Sequence, residues 1–225
     1  MKSFVFDLYN TLIEVRTDEH VESTWLPVVD YFKAHGIDTD WESLCREFDA
    51  YWKVFNAKAD KSKFAYPECD CVEQFMEMAK NLGGKLDRKA AAEALCIMRR
   101  ASIQTLRLFD GTLELLDELR KSGAKRYLLS NAQAAFTPDE IKECGLSSAF
   151  DGVMLSSDYG CRKPDPAFFG MLFDKYGIDK ATAVMVGDDI TSDGQGAKDF
   201  GSAYVCASGG AAAHADELIS LARKK

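Results

Sequence analysis

The 225-residue sequence lacks any apolar run of membrane-spanning length; its longest, such as Ala181 to Gly187, are of strand length. Met1 to Phe6 is too short, and too soon followed by Asp7, to serve as a signal peptide. A membrane is therefore not an expected partner, and a cytoplasmic location is the expected one. Basic charge is also in short supply, with 28 Lys and Arg against 36 Asp and Glu and a net charge of −8. Nucleic acid is accordingly not an expected partner, because phosphate backbones are held by clustered Lys and Arg. A small anionic substrate stays open, since one metal ion and one lysine can reverse the potential inside a cleft. There is no internal repeat and no low-complexity linker. The seven cysteines, an odd number, are scattered through a chain able to build its own core, which reads as free thiols in a reducing compartment. Cys69 and Cys71 flank Asp70 but have no second Cys or His pair at ligand spacing, so they read as helix-face residues.

What is present is ordinary globular composition, 47% hydrophobic and 28% charged, in two contrasting patterns. Ser3-Phe4-Val5-Phe6 is a short apolar run that ends at Asp7. Helical spacing then dominates for a long stretch. Trp25, Val28, Val29 and Phe32 form one face; Trp41, Leu44, Cys45, Phe48, Trp52 and Phe55 form another, with Asp40 as its cap. Pro67 is read as opening a third helix that carries Val72, Phe75, Met76, Ala79 and Leu82. Asp87 caps a fourth, running to about Ile103, and no strand is expected between these helices. From Leu108 onward helices alternate with short strands at Tyr127–Leu129, Gly152–Leu155, Ala183–Val186 and Ala203–Cys206. Such alternation predicts a parallel sheet with helices on both faces. The expected organisation is an α/β core, residues 1–13 and 104–225, interrupted after its first strand by an all-helical insert, residues 14–103. A monomer or homodimer is expected.

Ligands of open parallel sheets bind at the carboxyl ends of the strands. Asp7 follows the first predicted strand, Ser130-Asn131 another, and Gly187-Asp188-Asp189 a third, with Asp193 close behind. Arg162-Lys163-Pro164-Asp165-Pro166 lies between the last two at a helix start. A carboxylate acts as a nucleophile when a cation keeps it ionised and holds the electrophile in line. Mg²⁺ takes one or two carboxylates, here Asp7 and Asp188, together with waters and a substrate phosphate. Lys163 can neutralise charge shared between Asp7 and a phosphoryl oxygen. Ser130 and the amide of Asn131 can donate to the equatorial oxygens. Each feature alone has a simpler reading as a turn, a cap or a solvated charge; it is their order along the strand ends that points to a site. Gly194-x-Gly196 is too incomplete a glycine pattern to argue for a nucleotide cofactor.

These segments resemble the four motifs of the haloacid dehalogenase-like superfamily. Phe4 to Leu12 resembles the first, Leu129-Ser130-Asn131 the second, Arg162 to Pro166 the third, and Val186-Gly187-Asp188-Asp189 with Asp193 the fourth. The match spans the whole chain, and the helical insert is similar to the family's helical cap. The resemblance implies a Rossmann-like parallel-sheet core, Asp7 as nucleophile, and hydrolysis of a small anionic, phosphorylated substrate. It also implies Mg²⁺ held by Asp7, the backbone carbonyl of Tyr9 and Asp188, with Asp189 and Asp193 in supporting or helix-capping roles.

One position departs from the family's phosphatases, which carry an Asp acid/base two residues after the nucleophile. Tyr9 stands there instead, as in the family's metal-free 2-haloacid dehalogenases. A phenol can donate a proton, but with an ordinary pKa of about 10 it is a poor general base at pH 7. Those dehalogenases lack an acid at the position of Asp188, so the fourth motif points back toward a metal and phosphate chemistry. Dehalogenation through an ester on Asp7, and phosphate binding without turnover, are the alternatives. Asn10 replaces the usual glycine, which its tolerance of left-handed backbone permits. In the insert, Arg16, His20, Trp25, Arg46, Trp52 and Lys53 are candidates for substrate selection; the spacing of Trp25 and Trp52 reads as core packing and Arg46 and Lys53 as a solvated face.

Overall fold

A computed structural model describes residues 2–224. The first strand, β1 (Ser3–Phe6), is buried along its whole length, as a continuous apolar run in a parallel sheet must be. Next come β2 (Ile13–Thr17), four helices α1 (Glu22–Ala34), α2 (Trp41–Lys58), α3 (Cys71–Asn81) and α4 (Arg88–Ser102), then β3 (Ile103–Leu108). The remainder is α5 (Thr112–Lys121), β4 (Lys125–Ser130), α6 (Thr137–Glu143), β5 (Gly152–Leu155), α7 (Pro166–Tyr176), β6 (Ala183–Gly187), α8 (Gln195–Phe200), β7 (Ala203–Cys206) and α9 (Ala215–Arg223). The sheet is five-stranded in the order β5-β4-β1-β6-β7, and its four strand pairings are parallel. This is the Rossmann-like α/β arrangement expected from the sequence.

Two compact units are present. One comprises the chain up to Val15, the segment Lys61–Glu68 and everything from Leu106 onward; the other comprises Arg16–Asp60 and Cys69–Thr105. In the first unit alternate residues of β1 feed the two faces of the sheet. Phe4 and Phe6 join Leu115, Leu116, Leu119 and Leu218 from α5 and α9. Val5 joins Phe168, Phe169, Leu172 and Ala197 from α7 and α8. A side chain on Gly196 would collide with the Phe169 ring, so that glycine serves close packing in α8.

The second unit is the helical insert. Trp25 is fully buried, 5.4 Å from Phe48 and 6.4 Å from Phe75 between ring centroids. Asp40, Asp70 and Asp87 cap α2, α3 and α4 by accepting from backbone N–H groups of the first turn.

Two local expectations need correction. Strands β2 and β3 pair as a two-stranded sheet, and most of β2 falls within residues 14–103, which read as all-helical. Helix α3 starts at Cys71 under the cap of Asp70, not at Pro67. Pro67 instead forms an isolated bridge with Cys161, inside a strap that belongs to the sheet-bearing unit. In that strap Arg162 N–H donates to the carbonyl of Tyr66 and Glu68 N–H donates to that of Gly160, both at 3.0 Å. Backbone pairing with a distant segment leaves no periodicity in the strap's own sequence.

Candidate active site

The pairing of β1 with both β4 and β6 aligns three strand ends. Phe6 lies opposite Leu128 on one side and Val186 on the other. The residues that follow, Asp7, Ser130 and Gly187-Asp188, therefore emerge at one edge of the sheet, and Asp7 N–H donates to the carbonyl of Val186 at 2.9 Å. Beyond Asp7 the chain must turn sharply. Asn10 makes the turn with φ 58°, the left-handed conformation expected of it, and its N–H donates to Ile13.

Lys163 is the hub. Its ammonium is 2% exposed and donates to Asp7 Oδ1 and Asp193 Oδ1, each at 2.6 Å. Burial works to lower its pKa, but Asp193 and Asp7 outweigh it and the group is held charged. The side chain of Asn131 grips the Lys163 backbone from both sides, accepting from its N–H at 2.8 Å and donating to its carbonyl at 3.0 Å. The loop of the third motif is thereby fastened to the end of β4. Asp165 caps α7 at Ala167 and also accepts from Tyr66 N–H in the strap.

Asp188 is partly buried and exchanges two hydrogen bonds with Thr11, whose hydroxyl donates to Oδ1 and accepts from the Asp188 N–H, both at 3.1 Å. Burial, and next the neighbouring Asp7, raise its pKa. Asp189 caps the single turn that follows, accepting from Thr191 and Ser192; those bonds overcome burial and lower its pKa. Asp193 is almost fully buried, and burial pushes its carboxyl up to about 6 despite Lys163. Gly187 is required for this approach, because any side chain there would overlap the Asp193 carboxylate. One oxygen from each of Asp7, Asp188 and Asp193 lies within 4.8 Å of the others.

Ser130 completes the edge. Its hydroxyl is buried, the residue being 1% exposed, and has no hydrogen-bond partner among the described residues. A buried orphan hydroxyl is a donor waiting for an acceptor.

Tyr9 is turned toward α6. Its hydroxyl donates to Glu140 Oε2 at 2.5 Å and lies 3.1 Å from Thr137 Oγ1. Glu140 is buried, and neither it nor Thr137, Thr11 or a direct pairing of Asp193 with Lys163 was anticipated. Thr137-Pro138-Asp139-Glu140 reads in sequence as a helix start and nothing more; only the fold brings it to Tyr9. The six candidates in the insert lie in the second unit or at its boundary, where Trp25 is core and Arg46 donates to Ser43 on its own helix.

The family model for haloacid dehalogenase-like hydrolases matches residues 1–201. The chain belongs to that family. Among curated relatives, N-acylneuraminate-9-phosphatase of Mus musculus is 31% identical over 89% of this chain and 79% of its own. The glyceraldehyde 3-phosphate phosphatase of Methanocaldococcus jannaschii is 24% identical over 89% and 82%. Solved structures of the same fold include a 2-haloacid dehalogenase from Pseudomonas syringae, at 20% identity and TM-score 0.63 over 92% of this chain and 86% of that one. A phosphatase from Thermococcus onnurineus has 22% identity and TM-score 0.56, with the same coverage. This haloacid dehalogenase-like protein is therefore a hydrolase by family, with phosphatases among its relatives by sequence and a dehalogenase among its structural neighbours. Among the described residues, no helix is long and apolar enough to cross a membrane.

Proposed function

We propose that the protein is a cytoplasmic, Mg²⁺-dependent phosphatase that acts on a small phosphorylated metabolite through an aspartyl-phosphate on Asp7. The observation that carries this reading is the charge at the strand ends. Three carboxylates, Asp7, Asp188 and Asp193, converge there, and among the described residues the Lys163 ammonium pairs with two of them, Asp7 and Asp193. When all are ionised that leaves an excess of two negative charges, and like charges at this spacing are costly without a balancing cation. An all-oxygen donor set suits Mg²⁺. Asp7, the backbone carbonyl of Tyr9 and Asp188 would hold the ion, which when bound would draw charge from a phosphoryl oxygen.

The chain's own groups supply the rest. The Asp7 carboxylate oxygen that is not engaged by Lys163 attacks phosphorus as the ester P–O bond breaks. Lys163, the Ser130 hydroxyl and the Asn131 backbone N–H donate to the phosphoryl oxygens, where charge gathers in the transition state. The leaving oxygen takes the proton of the Tyr9 hydroxyl, which Glu140 and Thr137 hold in place. In the second half-reaction water attacks phosphorus and returns a proton to the Tyr9 phenolate as the bond from Asp7 to phosphorus breaks. Asp7 is released and the phenol is reset. Glu140 thus positions the proton donor that stands where the first motif lacks its carboxylate.

The test is a panel of sugar-acid phosphates, triose phosphates and phosphoserine, with short 2-haloacids beside them, each with and without Mg²⁺. Expected is Mg²⁺-dependent phosphate release that Asp7→Asn lowers by at least a thousandfold with the fold intact, since both the attacking oxygen and an ion ligand are lost. Metal-independent halide release would establish the dehalogenase chemistry that Tyr9 alone favours. An Asp7→Asn variant within tenfold of wild type would overturn both.

A further inference from the structure

The helical insert holds a second cluster of ligating side chains, of a different chemical kind. Cys45 and Asp49 stand four residues apart on α2, so they project from one face of the helix. His20 faces them from the loop that enters α1, with Nε2 at 3.3 Å from Asp49 Oδ1. One ligand atom from each of the three residues lies within 4.8 Å of the other two.

The loop is held in place by a set of bonds that do not involve these side chains. Asp18 N–H donates to Ser102 and the Thr24 hydroxyl donates to the carbonyl of Asp18. Trp25 Nε1 donates to the carbonyl of Glu19 at 2.8 Å, and His20 N–H donates to Asp18 Oδ1 at 2.9 Å. The Cys45 thiol reaches the same Glu19 carbonyl at 3.7 Å, which sets the sulfur beside the residue preceding His20. The three groups therefore meet on a backbone that is already ordered.

A hydrogen bond between His20 and Asp49 and the thiol's own bond to the Glu19 carbonyl hold the three residues in two separate contacts, and neither explains why all three ligand atoms converge. A tetrahedral ion accounts for all three. With bonds of roughly 2.0–2.3 Å to N, O and S, the edges of the tetrahedron are about 3.3–3.8 Å, the range in which the His–Asp separation falls. A neutral imidazole, a thiolate and a carboxylate together balance a dication. The mixed N, S and O set favours Zn²⁺ or Co²⁺ over the hard cations Mg²⁺ and Ca²⁺.

We propose that His20, Cys45 and Asp49 form a binding site for a borderline-soft divalent cation, Zn²⁺ foremost, with water in the fourth position. His20 is two-thirds exposed, so that position opens to solvent. As the sulfur–metal bond forms, the thiol proton leaves to the buffer, one per ion bound. The ion fastens the loop before α1 to the middle of α2.

The experiment uses tag-free, reduced, chelator-treated full-length protein titrated with Co²⁺. Expected is a thiolate-to-cobalt charge-transfer band in the near ultraviolet, saturating at one equivalent, with visible bands of tetrahedral intensity. Zn²⁺ should abolish the bands, and a thousandfold excess of Mg²⁺ should leave them unchanged. Cys45→Ser should remove the charge-transfer band, while His20→Ala and Asp49→Ala should weaken binding at least tenfold. Asp7→Asn should bind Co²⁺ as wild type does, which separates this site from the carboxylates at the strand ends. The far-ultraviolet spectrum and melting temperature of each metal-free variant establish that it is folded. A missing band in wild type, or one that survives Cys45→Ser, would overturn the proposal.

Discussion

At the scale of single residues, legibility followed position along the backbone. Asp7, Asp188 and Ser130 could be read from the sequence because the end of an apolar run fixes where a residue emerges from a parallel sheet. Lys163 could be read from its place at a helix start. Asp193 reads in sequence as a supporting or capping residue, but spacing does not reveal its partner, since its reach to the lysine depends on the room that Gly187 leaves. Glu140 left no signal, being 131 residues from Tyr9 and inside an ordinary helix-start pattern. Its expected contribution can be measured. General acid–base assistance is typically worth about 10²–10⁴-fold. Tyr9→Phe and Glu140→Gln should each slow hydrolysis of alkyl phosphates by at least about 10²-fold, on the same principle. On an activated aryl phosphate, both variants should release the first equivalent quickly and then turn over slowly. The pair should also be non-additive, since both residues serve one proton path. A Glu140→Gln enzyme with wild-type rates and an unchanged pH–rate profile would show that Tyr9 acts without the carboxylate.

At the scale of elements, α2 and α4 are legible because Asp40 and Asp87 stand as caps ahead of an apolar face, whereas at α3 the cap Asp70 is preceded by Pro67, itself a plausible helix opener. The short β2 and β3 are not legible, because they lie far apart in the sequence and only their mutual pairing makes them strands. The strap of residues 61–68 was missed for the same reason. It bears on the site through Asp165, which is buried and accepts two backbone N–H groups, Ala167 in α7 and Tyr66 in the strap. Asp165→Ala should remove a helix cap and leave a second donor unpaired. The expected loss is about 1–3 kcal/mol of unfolding free energy, measured by urea denaturation at constant m-value. Because the same residue closes the loop that carries Lys163, turnover should fall as well. If Asp165→Asn, which keeps one acceptor, restores stability but not rate, the loop's charge and not its geometry is at fault.

At the scale of the whole molecule, the acidic balance of the chain and the carboxylates at its strand ends act in the same direction. The protein at neutral pH holds like charges together that separate on unfolding, so a cation bound only by the native state should raise the melting temperature by mass action. The pH dependence of that rise follows from the raised carboxyl groups. Asp188 is raised by burial and by Asp7, and Asp193 by burial to about 6. Groups with folded pKa values above their unfolded ones favour the native state most below the unfolded pKa, and that contribution is lost as pH rises through the folded pKa. Without a cation, stability attributable to Asp193 should therefore decline between about pH 4 and pH 6 as it ionises, and Asp188, also raised, acts in the same direction. Protons and Mg²⁺ compete for Asp188, so the stabilisation by the ion runs the opposite way. Millimolar Mg²⁺ should add several degrees to the melting temperature at pH 7.5 and progressively less as pH falls and the raised Asp188 carboxyl takes up its proton. Asp188→Ala should abolish the increment at pH 7.5 while raising the melting temperature measured without the ion, because one buried negative charge is gone. A Mg²⁺ increment equal at pH 5 and pH 7.5, or one that survives Asp188→Ala, would place the ion elsewhere on this acidic surface and remove the strand-end carboxylates as its ligands.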